Sequence, residues 1–520
     1  MICLCALLRG LFFFGCFMVG SQAVAADLDP INPDSALVAT LATIEGTPLR
    51  LQEAEDAALA QAASVLIARS ELDAARAIVV REQGSYDPGV FLSVIRSGND
   101  VPSSSPFSGA PVLEQDQTSA QTGVRVQLPI GTQLEASVSA IRLESNSNFS
   151  SLNPQYTTTG GIRVRQPLLS GFGFSARKNL TAAERGMAVA QARYDDAVLR
   201  MRAVVAQLYW DLYTAERDLA VQYLVRNQAE ALLKEALLRA RSGLVGPNQV
   251  ANAQVFLAEQ EQVLLDRQEA LDRASDRLSV LMGQRPSTVR FRPVDEPAQA
   301  LDLKSLDQVL ADALDANLQL QAERADIGRL KALLRAANRD RLPTLDLVGA
   351  LGGNGLSGTG QNVIFGADTL RSTQSGGYGD ALGQILKRDN PTYEVGLLLD
   401  IPIGAHTGRG ESDRLRAEAA RAEYNYAAAQ RDLEAQVRDQ YRAVAHGKQR
   451  LSLARSGVDA ASEQVRIGVI EYRNGRSTAF ELVRLAADFA AAQQRYSQAL
   501  VRMAKAESQL RYLTSGQHPQ

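Results

Sequence analysis

The two halves of this 520-residue chain carry one pattern at a fixed offset. Tyr209 aligns with Tyr441, Leu219 with Leu451, Ala229 with Ala461 and Arg241 with Arg473, each pair 232 residues apart. Gly243 and Gly475, Leu278 and Leu510, and Leu281 and Leu513 continue the series without a gap over more than seventy residues. Upstream, Pro167 and Pro402 occupy matching places at a slightly different offset. A fold for this chain must therefore be one supersecondary unit built twice.

Each unit reads helix, strands, very long helix, break, helix. In the first, 49–83 has a helical pattern and 86–168 is β-like. Residues 176–241 then hold no Pro and only Gly186, a helix of about 100 Å at 1.5 Å per residue. Ser242-Gly243-Leu244-Val245-Gly246-Pro247 breaks it, and helix resumes to about Met282, stopped by Gly283 and Pro286. The second unit is helical from Ser305 to Asn338, β-like at 344–351 and 392–403, and helical again over 411–473. Asn474-Gly475-Arg476-Ser477 breaks it before a last helix to Leu513. The ranges are thus 1–25 leader, 26–48 N-terminal extension, 49–282 first repeat, 283–304 linker, 305–513 second repeat and 514–520 tail. Residues 98–118 and 352–391 read as Gly/Ser/Asn/Pro-rich loops.

The strands alternate with period two. Val124, Val126 and Leu128 oppose Gly123, Arg125 and Gln127. Ile162 and Val164 oppose Arg163 and Arg165. Tyr393, Val395, Leu397, Leu399 and Ile401 oppose Glu394, Gly396, Leu398 and Asp400. One apolar and one charged face suits a wall between lipid and water, or a half-buried sheet in a soluble domain. Val90–Ile95 and Leu134–Ile141 add candidate strands. The strands are too few to close a channel-sized barrel within one chain, and a symmetric oligomer would supply the missing sectors.

Composition removes most alternatives. Lys+Arg is 55 against Asp+Glu 58, which argues against binding nucleic acid by bulk charge. The three cysteines, Cys3, Cys5 and Cys16, all precede residue 17, and His406, His446 and His518 are scattered. No metal-ligand spacing, cofactor motif or nucleophile–base pair is found, so no enzyme, metal or cofactor is expected. Residues 1–20 are apolar but for Arg9, and Ala23-Val24-Ala25 follows, an export signal cut near residue 25. A retained anchor and lipid attachment at Cys16 are the alternatives. No later stretch reaches the roughly 18 apolar residues of a spanning helix.

With these features the chain closely resembles the TolC-type outer-membrane efflux proteins (outer membrane factors). The likeness rests on Gln166-Pro167-Leu168-Leu169-Ser170-Gly171-Phe172-Gly173, answered by Ile401-Pro402-Ile403-Gly404. It rests also on Ala206-Gln207-Leu208-Tyr209-Trp210-Asp211-Leu212, and on the two breaks at 243–250 and 472–477. The resemblance implies a mainly α fold with transmembrane β. Long helical hairpins form a trimeric α-barrel tunnel, joined to a shared 12-stranded outer-membrane β-barrel with about four strands from each chain. It implies an exit duct in the outer membrane of a Gram-negative bacterium, its helices in the periplasm. Cargo would come from an inner-membrane pump through a periplasmic adaptor, in efflux or type I secretion. A coiled-coil adaptor or scaffold without a pore is the alternative; two long hairpins in tandem count against it.

The same resemblance assigns the site residues. Gly243, Leu244, Val245, Gly475, Arg476 and Ser477 sit at the helical tips where an adaptor would dock, although any helical hairpin needs such a turn. Glu481 stands where an acidic residue lines the closed entrance. Two departures are evident: Arg484 replaces an expected acid, and Gln249 stands where the first repeat would carry another. Tyr472, with Glu481 and Asn248, would supply the bonds that hold the gate shut; Glu481 and Arg484 could equally be an exposed helix pair. Trp210, Tyr209 and Tyr213 read as interhelical packing, and Asp195-Asp196 as a solvated helix face.

Overall fold

A computed structural model describes residues 33–105, 108–286, 289–298, 303–365, 368–373 and 375–516. The leader and His518 lie outside them. The described residues divide into two compact units. One holds residues up to 45 with 216–268 and 456–494; the other holds 46–215, 269–455 and the C-terminal part from 495.

The duplication is explicit in the helices. After α1 (Pro33–Thr43), the first repeat runs α2 (Leu51–Gln61), α3 (Ala63–Gln83), α4 (Lys178–Arg241) and α5 (Pro247–Leu281). The second runs α6 (Leu306–Ala316), α7 (Leu318–Asp340), α9 (His406–Arg473) and α10 (Ala479–Leu513), with a short α8 (Tyr378–Lys387) inserted before α9. The helices expected over 49–83 and from Ser305 to Asn338 are each broken once, at Ala62 (φ −65°, ψ 124°) and at Asn317 (φ −60°, ψ 121°). A single extended residue at either place redirects the chain. Asn317 also caps α7 by accepting from Leu320 N (3.1 Å), and its Nδ2 donates to Leu513 O (3.1 Å) at the end of α10. Ser305 and Gln308 cap α6 reciprocally.

In the second unit of structure, Val309, Ala313 and Leu320 bury against Leu433, Val437, Leu510 and Leu513. Leu330 and Ala337 bury against Leu415, Ala419 and Ala422. Alanine lets the helices approach closely, and rotamer order costs it nothing.

The strands form one antiparallel sheet of six, in the order β10-β7-β5-β4-β3-β2. They are β2 (Gly89–Pro102), β3 (Val112–Gln127), β4 (Gln133–Ser145), β5 (Leu152–Pro167), β7 (Thr344–Gly360) and β10 (Pro391–Asp400). Every β-like segment read from the sequence is a strand. The two long loops are shorter than expected. β2 and β3 carry the ladder out to Pro102↔Val112, with polar pairs such as Asn99↔Gln115 along it. In 352–391, β7 extends to Gly360, and a small hairpin, β8 (Val363–Phe365) and β9 (Asp368–Leu370), precedes α8. Glycine misled the reading there. A Cβ on Gly355 would lie 1.8 Å from Ala381 O, so that glycine marks the seat of α8 on the sheet. Where the resemblance implies four strands per chain the sheet has six, because the first repeat supplies four and the second two.

A short parallel pair, β1 (Thr47–Leu49) with β6 (Phe291–Pro293), joins the N-terminal extension to the linker.

Candidate functional site

The two helical breaks are copies of one turn. Gly243 N donates to Ala240 O (3.0 Å) and Leu244 N to Arg239 O (2.9 Å). Gly475 N donates to Tyr472 O (3.0 Å) and Arg476 N to Glu471 O (2.9 Å). These bonds satisfy the last carbonyls of α4 and α9 and require a left-handed residue. Gly243 (φ 69°) and Gly475 (φ 71°) supply it. A Cβ at either would meet nothing within 4 Å, so glycine is there for its backbone angle, not for space. In this turn the residue after the glycine usually packs on the helix three places before its end. Here that partner is Arg239, and Leu244 is left 75% exposed. Arg476 is exposed, while Val245 and Ser477 are half-buried.

The residues expected at the gate separate into two groups. Glu481 lies in the first turn of α10, its backbone N donating to Thr478 Oγ1 (3.3 Å). Its carboxylate pairs with Arg484 at 2.7 Å, both side chains well exposed. Asn248 and Gln249 are exposed in the first turn of α5. Tyr472 is buried instead, against Leu232 and Leu482. The Arg239 guanidinium lies 4.3 Å from its ring centroid, and its hydroxyl is hydrogen-bonded to Glu235. Glu235 also accepts from Arg239 Nη2 at 2.8 Å. Burial, and then the Glu235 charge, push the phenol pKa up. Tyr472 thus ties α9 to α4 through Glu235 and Arg239, rather than to Glu481 or Asn248. Sequence reasoning missed that pair, although an i,i+4 Glu/Arg couple one turn before Gly243 was there to be read.

Tyr209 does more than pack. Its ring is edge-on to Trp210 (5.1 Å between centroids), as Trp210 is to Tyr213 (6.0 Å). Its hydroxyl accepts from Val294 N and Asp295 N, both at 3.0 Å, and lies 2.9 Å from Leu49 O. Tyr441, its counterpart, donates to Lys304 O at 3.2 Å. Leu49 and Lys304 each stand two residues before the first short helix of their repeat. The same bond therefore closes both repeats.

The sheet has two distinct faces. Register places Val90, Leu92 and Val94 in line with Val124, Ala136, Val138, Ile162, Leu351, Tyr393 and Val395 on one side. Arg125, Glu135, Arg163, Arg165 and Glu394 are on the other. Arg165 bonds Asp346 through Nη2 (2.5 Å) and Nε (2.9 Å), and the Arg125 guanidinium lies 5.0 Å from the Phe91 ring. Apart from the seat of α8 at Gly160 and Gly355, the apolar side is bare: Val90 is 78% exposed, Leu92 74%, Tyr393 83% and Val395 77%. Bare valine and leucine in a continuous band is costly in water and favourable in hydrocarbon.

Among the described residues, no group of three or more His, Cys, Asp or Glu could hold a metal ion, and no helix is long and apolar enough to cross a membrane. The aspartates 195 and 196 do not act together: Asp196 takes Tyr512 and Arg200, and Asp195 takes Gln191.

Long helices and an antiparallel sheet with one apolar face are also the elements of solved outer-membrane channels. Solved structures agree. VceC from Vibrio cholerae has a similar fold (TM-score 0.63, 15% identity, 90% of this chain and 96% of that one). So do CmeC from Campylobacter jejuni (0.60, 13%, 90% and 85%) and the open state of MtrE from Neisseria gonorrhoeae (0.59, 17%, 90% and 89%). At these identities the likeness is one of fold. A search of curated proteins gave no match in sequence. Residues 309–516, nearly the whole second repeat, match the family described as outer membrane efflux protein. Over those residues the chain is similar to that family, in keeping with its resemblance to TolC-type proteins.

Proposed function

We propose that this chain is the outer-membrane exit duct of a tripartite efflux or type I secretion system. It works as a homotrimer and conducts passively, without catalysis. The observation that carries the reading is the apolar band across all six strands, bare except where α8 sits on β5 and β7 at Gly160 and Gly355, and backed by a charged opposite face. Lipid covers the first and the second lines water. An inner-membrane pump supplies cargo and energy, and a periplasmic adaptor joins pump to duct. The helical tips dock that adaptor: Gly243, Leu244, Val245, Gly475, Arg476 and Ser477 present exposed backbone and one bare leucine at a turn that both repeats share. Glu481, Arg484, Asn248 and Gln249 line the entrance, and Tyr472 holds it shut through Glu235 and Arg239.

The test is single-channel recording of the purified mature protein in a planar bilayer. Small discrete steps are expected, growing larger when the tip is loosened by Tyr472→Phe. Folded protein that neither inserts nor conducts would sink the duct and favour a periplasmic scaffold.

A further inference from the structure

We infer that three copies close an eighteen-stranded barrel, six strands from each chain, through a β2–β10 seam between neighbouring copies. The inference rests on the trimeric duct proposed above and departs from the twelve-stranded barrel that the resemblance implies.

Four observations support it. First, the membrane-facing band continues onto β2 and β3, where it runs from Val90 through Val94 on β2 until Arg96. Val90, Leu92 and Val94 lie on the same face as Tyr393, Val395 and Leu397, with Val124, Ala136, Ile162 and Leu351 between them. A twelve-stranded wall made of β10, β7, β5 and β4 would leave Val90, Leu92 and Val94 in water. It would also require β3 to peel away from β4, along which it is paired from Gln115↔Ser145 to Gln127↔Gln133 without a break.

Second, the band steps along the strands as a tilted barrel wall demands. Its centre lies between Val395 and Leu397 on β10 and at Leu92 on β2. Traced through the registers, that is a stagger of about five residues over five pairings. One residue per strand, at about 3.4 Å along a strand and about 4.8 Å between strands, gives a tilt of roughly 35°, within the range of membrane barrels.

Third, the two edge strands fit each other. The sheet is antiparallel throughout with an even number of strands, so β2 and β10 run in opposite directions. The outer edge of β10 in one copy can therefore meet the outer edge of β2 in the next as another antiparallel pair. β2 has 14 residues and β10 has 10, each enough to cross the membrane at this tilt. Unpaired strand edges are not tolerated in lipid, and a further copy of this chain is the occupant with the matching apolar face.

Fourth, the size is one that holds a channel. Eighteen strands at that tilt give a backbone radius of roughly 17 Å, against roughly 11 Å for twelve. Barrels of 16 to 18 strands enclose water.

Disulfide trapping tests the seam. Leu92→Cys is combined in turn with Tyr393→Cys, Val395→Cys, Leu397→Cys and Leu399→Cys, and the outer-membrane fraction is treated with copper–phenanthroline. Leu92 with Val395 or Leu397 should shift the band from one-chain to three-chain mass on a denaturing gel, and reductant should reverse it. Each single variant should stay at one-chain mass. Val138→Cys on β4, combined with the same β10 positions, is the control for the smaller barrel. Trapping from Val138 and none from Leu92 would overturn the eighteen-stranded wall while leaving the trimeric duct intact. So would a trimer, established by native mass, in which no Leu92 pair reacts. A native mass of one chain would instead defeat the trimer on which the inference rests. A strand count on the unsubstituted protein by electron cryomicroscopy gives eighteen if the inference is right and twelve if it is not, whatever the cysteines do to folding.

Discussion

The two repeats agree at their joints and differ at their ends. The extended breaks at Ala62 and Asn317, the tyrosine bonds to Leu49 and Lys304, and the turns at Gly243 and Gly475 are pairwise equivalent. The differences fall in the sheet and beside the tips. The first repeat inserts four strands between its helices where the second inserts two plus α8. Tyr472 has Ala240 as its counterpart, so only one tip carries a buried aromatic with a charged pair on it. Joints set how a repeat folds, so duplication keeps them. In the proposed duct, sheet and tip would meet lipid, cargo and partner, where two copies can be put to different use.

The largest expected effect tests whether the two tips are equivalent. Pro fixes φ near −65°, whereas Gly243 sits at φ 69°. Gly243→Pro must therefore undo the turn at 242–246. Export of a pump-dependent cargo should fall at least tenfold while native mass still reports a trimer. Gly475→Pro should do the same. If only one of them blocks export, the adaptor reads one tip; a monomeric product from either would make the turn a folding element instead.

Next in size is the contrast between the two tyrosines. Removing the Tyr209 hydroxyl takes a partner from Asp295 N, whereas Val294 N keeps its bond to Leu49 O (3.1 Å), and an unmade hydrogen bond costs about 1–3 kcal/mol. Tyr209→Phe should cost about 1–3 kcal/mol in thermal or denaturant unfolding, and Tyr441→Phe, with its single 3.2 Å bond, about 1 kcal/mol or less. Equal losses would show that the repeats do not share the load as described. pH sharpens this test. Burial is the main reason the Tyr209 phenol is pushed up from 10 to about 12. Its charged form is the disfavoured one in the folded protein, so its contribution is whole below pH 10 and declines as pH rises toward 12. Up to roughly 2.7 kcal/mol is lost across that window. Tyr209→Phe should flatten that part of the alkaline unfolding curve, and an unchanged slope would remove Tyr209 from it.

A smaller effect probes the asymmetry at the tips. Tyr472→Phe keeps the ring between Leu232 and Leu482 and removes only the bond to Glu235. Conductance of the closed pore should rise by a few-fold with little change in unfolding temperature. Ala240→Gly, at the position Tyr472 would occupy in the other repeat, should leave conductance unaltered. A rise in both would mean that any loosening of a tip opens the pore.

Much of this was legible in the residues, and the reason is physical. An uninterrupted 64-residue helix announces itself by lacking Pro and all Gly but Gly186, and a two-fold period announces a strand. Glycine at a turn is legible too, because only the left-handed angle calls for it. The hidden features are those set by approach between distant segments. Gly355 reads as loop because nothing near it in sequence reveals Ala381 above it. The polar ladder from Ser97 to Pro102 lacks the apolar alternation by which strands are found. Tyr209 looked like packing because Leu49, Val294 and Asp295 lie some 85 to 160 residues away. At the tip, Glu481 was found by position, whereas Leu232, Glu235 and Arg239, which meet Tyr472, lie in the other repeat and needed the fold to bring them near.

The smallest expected effect concerns charge at the entrance. Glu481 does not stand there as a bare acid, since the Arg484 guanidinium is 2.7 Å from its carboxylate. An exposed pair of this kind is worth only about 0.2–1 kcal/mol to stability, so neither substitution should disturb folding. Electrostatically the pair is nearly neutral beyond a Debye length of about 8 Å, and three copies would give a ring of dipoles rather than of anions. Unsubstituted protein should therefore prefer cations only slightly. Arg484→Ala releases the carboxylates, and the reversal potential in a salt gradient should move toward the cation limit. Glu481→Ala releases the guanidinium groups and should move it toward anions. The double variant should return to the starting value. If both single variants leave the reversal potential where it was, the pair faces away from the conducting path. The narrowest part of the entrance would then belong to other residues, among which Asn248 and Gln249, on the equivalent turn of the first repeat, are next to be substituted.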